Sequence, residues 1–157
     1  FSLGNSRSII KAWEAVAAIE DGAAELDMVI NIGEAVAGNW LAVQNDIKAV
    51  VMAAQPLPVK VIIKARALPS DQHREEACRV AMLAGAKFVK TSTGMHASGG
   101  ATLADVALMK RVVGDRCGIK AAGGIKTYEQ AMAMIDVGAT RIGTSSGIAI
   151  VQAALAA

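Results

Sequence analysis

Two lysines sit where a lysine is unexpected. Lys90 ends the apolar run of KFVK (87–90) and is followed by Thr91, Ser92, Thr93 and Gly94, while Lys120 lies in GIKAAGG (118–124). Lysine is among the residue types least often buried. If both side chains point into one poorly solvated interior, burial and mutual repulsion disfavour their charged forms, so at least one amine is neutral near pH 7. Bringing a lysine from about 10.4 to neutrality costs about 4 kcal/mol. A neutral amine attacks carbonyls and forms a Schiff base, an electron sink for breaking or making carbon–carbon bonds. The same positions also suit lysines whose stems run out from strand ends to solvent. Asp27, inside the apolar ELDMVIN (25–31), is costly if unpaired, so it must meet a lysine or lie in a wet cavity.

Glycine and hydroxyl residues point to an anion. Gly123-Gly124-Ile125 and Ser145-Ser146-Gly147 each read as the opening of a helix, where unpaired amides and the helix dipole favour phosphate. Ser146 as an ordinary helix cap and Gly123-Gly124 as a tight turn explain the same residues. His73, on a helix, and His96, in a loop, lack metal-ligand spacing. Both are expected to face solvent, with no metal bound.

These residues need strands to carry them. Segments 20–31 (EDGAAELDMVIN), 83–91 (LAGAKFVKT) and 136–144 (DVGATRIGT) share one grammar: a helix-like run, a Gly-Ala pair at Gly22, Gly85 or Gly138, then an apolar, β-branched run. Glycine just past a helix end closes it, so each pair marks a helix-to-strand junction. Further strands are expected at 59–64 and 118–121. Amphipathic helices are expected at 8–19, 34–53, 70–83, 103–113, 128–137 and 147–156, with Ser70 or Asp71 capping the third. Five strands alternating with six helices imply parallel strands covered by helices. An open doubly wound sheet and part of an eight-stranded barrel both satisfy that pattern. In either, ligands bind beyond the carboxyl ends of the strands, and every predicted strand ends in something polar.

Composition narrows the class. The 157 residues are 54% hydrophobic, 19% charged and 3% aromatic, with a formal net charge of +2. One domain over 1–157 is expected, with a core of Ala, Val, Ile, Leu and Met. The small charge and the lack of basic blocks argue against a nucleic-acid partner. Without a signal peptide or an apolar run of spanning length, no membrane partner is expected and the location reads as cytoplasmic. Cys78 and Cys117 read as two reduced thiols. A chain starting on Phe1 is not expected to begin at its translation start.

Taken together, ELDMVINIG, KFVKTSTG, GGAT (99–102) and GIKAAGGIKTYEQAMAMIDVGATRIGTSSG (118–147) resemble the 2-deoxyribose-5-phosphate aldolase family over nearly the whole chain. The resemblance implies an α/β fold of (β/α)8 TIM-barrel type. It also implies a class I, Schiff-base lyase that cleaves 2-deoxy-D-ribose 5-phosphate to D-glyceraldehyde 3-phosphate and acetaldehyde, without metal or organic cofactor. By motif, Lys90 would be the nucleophile, Lys120 its pKa-depressing neighbour and Asp27 a proton relay. Gly123, Gly124, Ser145 and Ser146 would bind phosphate, with Thr93 and Gly94 lining the same end. The small residues behind Lys90 would leave room for substrate.

Departures from the family pattern are specific. The chain matches the last five strands of eight, and Phe1-Ser2-Leu3-Gly4 resembles the end of the third. Lys64-Ala65-Arg66 stands where the family usually has Glu-Thr and a small residue or cysteine. A partial barrel exposes strand edges and apolar inward faces, so a homo-oligomer covering them is expected. The alternative function is an inactive aldolase-like scaffold, or a fragment needing another chain to complete the barrel. Another phosphate-binding barrel enzyme, such as an isomerase, explains the glycine loops but not two strand-end lysines.

Overall fold

A computed structural model describes residues 3–93 and 99–156. The elements run α1 (Ser8–Glu20), β1 (Leu26–Val29), α2 (Ile32–Val36), α3 (Trp40–Ala54), β2 (Val59–Ile62), a 3-10 turn (Ala65–Ala67), α4 (Asp71–Leu83), β3 (Phe88–Lys90), α5 (Leu103–Val113), β4 (Gly118–Ala122), α6 (Tyr128–Asp136), β5 (Arg141–Gly143) and α7 (Gly147–Ala156). The five strands are parallel and lie in the order β1-β2-β3-β4-β5. A doubly wound sheet reverses its strand order at a switch point; this one never does. The winding is that of a barrel.

Strand alternation sorts the two faces. Met28, Ile30, Val59, Val61, Val89, Ile119 and Ala121 face the helices and join one apolar core with residues such as Ile47, Ala77, Val106 and Met109. The opposite face carries Asp27, Lys60, Phe88, Lys90, Lys120 and Arg141. The sheet curls around this second face until Arg141 of β5 reaches Glu25, just ahead of β1, at 2.6 Å.

Three expectations need correction. The helix expected over 34–53 is two, because Gly38 takes a left-handed conformation (φ 74°) and its amide closes α2 on Ala35 O; the described residues thus form seven α-helices where six were expected. The inner face is not apolar throughout: charged side chains alternate there with apolar ones such as Val29, Ile62 and Phe88. Exposed apolar side chains lie instead on the outer helices: Trp13 of α1 is 64% exposed, and on α7 Ile148, Val151 and Leu155 are 79%, 58% and 84% exposed. His73 does not face solvent, because its position early in α4 turns the ring toward the start of α3. There it is half-buried, 5.7 Å from Trp40, with Nδ1 2.8 Å from Ser70 Oγ.

The outer edge of β1 is partly covered from within the chain. Lys11 Nζ donates to Val29 O at 3.1 Å and pairs with Asp46 of α3 at 2.6 Å, both side chains being buried. Gly4 packs so closely that a Cβ there would lie 2.0 Å from Ile30 O. Removing one partner of a buried ion pair costs about 3–5 kcal/mol. Asp46→Ala should therefore lose that much in urea unfolding, while Lys11→Met/Asp46→Leu loses clearly less. A single substitution within about 0.5 kcal/mol of wild type would contradict the assignment.

Candidate active site

The inner face gathers its charges around one carboxylate. Asp27 Oδ1 accepts a hydrogen bond from Lys90 Nζ at 2.7 Å, and Oδ2 accepts one from Lys60 Nζ at 3.0 Å. Register explains this, since Asp27 stands opposite Lys60 across β1–β2 and Lys90 lies one strand further on. Burial alone would raise the Asp27 carboxyl, but the bonds from Lys90 and Lys60 outweigh it and hold it below its usual value. Lys60 is shared, with Glu25 Oε2 also 3.0 Å away.

Lys120 is Lys90's direct neighbour across β3–β4. Among the described residues no carboxylate pairs with it. Burial and then the Lys90 charge push its amine below the usual lysine value; Asp27 partly opposes this, and Lys60 and Arg141 reinforce it. Gly143 leaves the space Lys120 occupies, since a Cβ there would come within 3.0 Å of Lys120 Cε.

At the carboxyl ends of β3, β4 and β5 opens a cleft of about 340 Å³. Lys90, Lys120, Thr93, Gly123, Gly124 and Ser145 line it, as does Lys126. Gly123 and Gly124 both have left-handed backbone, and the neighbouring loop depends on Gly100: a Cβ there would lie 2.1 Å from Gly123 O. The Gly123–Gly124 turn does not itself open a helix, because α6 starts only at Tyr128 behind a Thr127 cap. Ser146 directly precedes α7 and donates its amide to Thr144 Oγ1 at 2.9 Å; it is not among the cleft's lining residues. Asp27 reaches the cleft only through Lys90. Gly94 and His96 lie outside the described residues.

The hydroxyls behind Lys90 are structural fasteners. Thr91 and Ser92 are buried and donate to Ala122 O at 3.2 and 2.7 Å, and Thr91 Oγ1 also accepts from Ala122 N. They tie β3 to β4 instead of making room for substrate. Thr93 is the first of the run to line the cleft.

Sequence reasoning missed Lys60, Glu25, Arg141 and Lys126. The signal for the first was available: Lys60 interrupts the buried run VKVII and alternates onto the same face as Lys64. Arg141 is a charge at the start of a short strand, and its guanidinium sits 4.5 Å over the Phe88 ring. Lys64 behaves unlike the rest. It is 2% exposed, takes a left-handed backbone (φ 52°), and its Nζ finds no hydrogen-bond partner among the described residues.

A curved parallel sheet with paired lysines, a shared carboxylate and a Gly-Gly cleft at the strand ends can be compared with known proteins. The family model described as "DeoC/LacD family aldolase" matches residues 1–153. The chain belongs to this family. It is 52% identical over 156 residues to deoxyribose-phosphate aldolase of Streptococcus pneumoniae, covering 99% of this chain and 70% of the relative. The solved aldolase QR15 superposes with a TM-score of 0.93 at 38% identity, over 99% of this chain and 70% of that one. A tetrameric deoxyribose phosphate aldolase from Aeropyrum pernix superposes with a TM-score of 0.87 at 30% identity, over 99% and 65%. The fold is thus a set of βα units from an aldolase TIM barrel.

Lys64 supplies a test within this aldolase fold. Burial lowers its amine below 10.5, so the folded protein holds this proton less tightly than the unfolded chain. The penalty is full below the folded pKa and fades as pH rises toward 10.5. Lys64→Met should stabilise the protein near pH 7 by about 1–3 kcal/mol, with the gain shrinking at alkaline pH. Thermal melts across pH would check this. A variant less stable than wild type at neutral pH would contradict it.

Proposed function

We propose that the protein is a class I aldolase cleaving 2-deoxy-D-ribose 5-phosphate to D-glyceraldehyde 3-phosphate and acetaldehyde through a Schiff base on Lys90. The observation that carries this is the pairing of Lys90 with Asp27 beside an amine, Lys120, depressed by burial and by Lys90's own charge. Family membership and the 52% identity to deoxyribose-phosphate aldolase support the substrate.

The chemistry follows from these groups. Burial and mutual repulsion of the neighbouring Lys90 and Lys120 amines favour releasing one proton to water, and Lys90 in its neutral form is the nucleophile. Lys90 adds to the C1 aldehyde, and loss of water from the carbinolamine gives the iminium. Asp27, through water, takes the C3 hydroxyl proton. The C2–C3 bond then breaks, its electron pair entering the iminium to form an enamine, and D-glyceraldehyde 3-phosphate leaves. Protonation at C2 and hydrolysis release acetaldehyde and restore Lys90. The amides of Gly124 and Ser145, with the side chain of Lys126, would hold the phosphate at the other end of the cleft.

Trapping tests the reading. Acetaldehyde with borohydride should add two carbons at Lys90, located by peptide mass mapping, and Lys90→Met should abolish both adduct and turnover. Lys120→Leu should lower kcat by about 10²–10⁴-fold and move the acid limb of the pH–rate profile upward. An adduct at another lysine alone, or an unmoved profile, would overturn the assignment of roles.

We infer a cytoplasmic location and self-association as well. Among the described residues no helix is long and apolar enough to cross a membrane. The exposed α7 stripe and Trp13 favour burial against a second copy, and the Aeropyrum pernix relative is tetrameric. Light scattering at micromolar concentration should report a mass above that of one chain; a monodisperse monomer would contradict it.

A further inference from the structure

The charge cluster does not stop at the residues the reaction uses. Arg141 Nη1 holds Glu25 Oε2 at 2.6 Å; the same Glu25 oxygen holds Lys60 Nζ at 3.0 Å; Lys60 Nζ holds Asp27 Oδ2 at 3.0 Å; and Asp27 Oδ1 holds Lys90 Nζ at 2.7 Å. Signs alternate along the whole line, from β5 to β3 by way of β1 and β2. Arg141 is anchored at its own end by the Phe88 ring. Lys60 is therefore divided between two carboxylates, and only one of them touches the reacting amine.

We propose that Glu25 and Arg141 form a positioning pair: by holding Lys60 partly on Glu25, they set how much of the Asp27 charge is left for the Lys90–Lys120 amines. The pair touches neither Lys90 nor the cleft at the strand ends, so it acts on Lys90 through Lys60 and Asp27, while Arg141 also acts on Lys120 across β4–β5 through its charge. Lys60 turns wholly onto Asp27 if Glu25 loses its charge, which neutralises Asp27 and leaves the amines in a more positive surrounding. If Arg141 is lost, Glu25 binds Lys60 alone and draws it off Asp27, whose charge then falls fully on Lys90. The two losses act in opposite directions, which no general loosening of the structure would produce.

The groups facing this cluster are few. Glu25 comes from just ahead of β1 and Asp27 from β1, Lys60 from β2 with Lys64 beyond its end, and Lys90, Lys120 and Arg141 from β3, β4 and β5. On α1, Lys11 and Glu14 share a cleft of about 230 Å³ with Asp27, but Lys11 is committed to Asp46. Arg141 stands beside Lys120 across β4–β5, and the charges of Arg141 and Lys60 both disfavour Lys120 as an ammonium.

The test rests on the aldolase reading for one of its two readouts. The first is the pH midpoint of borohydride-trapped acetaldehyde adduct at Lys90, in wild type, Glu25→Gln, Arg141→Met, the double variant and Arg141→Lys. Glu25→Gln should move the midpoint down by about half a pH unit and Arg141→Met up by a similar amount. The double variant should return near wild type, and Arg141→Lys should stay close to it. The second readout needs no reaction: trace acylation of the folded protein across pH, read lysine by lysine by mass spectrometry, should show the same opposite displacements at Lys120. Shifts in one direction, or none, in variants that melt cooperatively would overturn the proposal. If wild type gives no adduct, the aldolase reading fails while the acylation profiles still decide this one.

Discussion

Asp27 is one carboxylate held between two ammonium groups, and the inner face of the sheet is arranged around that fact. Three lysines and an arginine converge there, and among the described residues Asp27 and Glu25 alone balance them, in a surface that burial has made poorly solvated. Asp27 satisfies Lys90 and half of Lys60. Lys120 is left over. An amine that no carboxylate pairs with among the described residues, beside a charged neighbour, loses its proton more easily than a free lysine.

The scaffold imposes this juxtaposition through register rather than through loops. Asp27, Lys60, Lys90, Lys120 and Arg141 all sit within strands, on the face away from the helices, while the helix-facing positions between them are apolar and buried. A slip of one residue in any strand would turn its charge into the core, so the same apolar alternation that makes the core also aims the site. Thr91 and Ser92 lock β3 to β4 at the point where the two lysines are adjacent. Gly100 and the Gly123–Gly124 turn then let two loops approach closely enough to shape the cleft.

Much of this was legible in the sequence because the patterns are local. The Gly-Ala junctions at Gly22, Gly85 and Gly138 do precede strands, and the helices at 103–113 and 147–156 have the expected bounds. Lys90 and Lys120 come together as their positions at strand ends suggested. What was not legible depends on partners distant in the chain. Glu25 and Arg141 are 116 residues apart, and nothing local announces their contact. Lys60 looked like part of an apolar strand until register put it opposite Asp27. Gly38 broke a helix whose apolar periodicity ran straight through it, since periodicity does not record backbone conformation. The hydroxyls after Lys90 were read as space for a ligand, yet two of them are spent on β4.

Lys64 is a buried amine just past the end of β2. Its left-handed backbone, and an Nζ with no hydrogen-bond partner among the described residues, place two costs just past the carboxyl end of β2, next to the strand that carries Lys90. The chemistry of the site turns on the protonation of Lys120. The most direct measurement is a pH titration of the lysine Nζ signals by NMR in the unliganded protein, with Lys120 assigned by substitution. Lys120 should titrate well below the exposed lysines, and its titration should move when Asp27 is replaced by Asn. A Lys120 signal that titrates together with the surface lysines, indifferent to Asp27, would contradict the account.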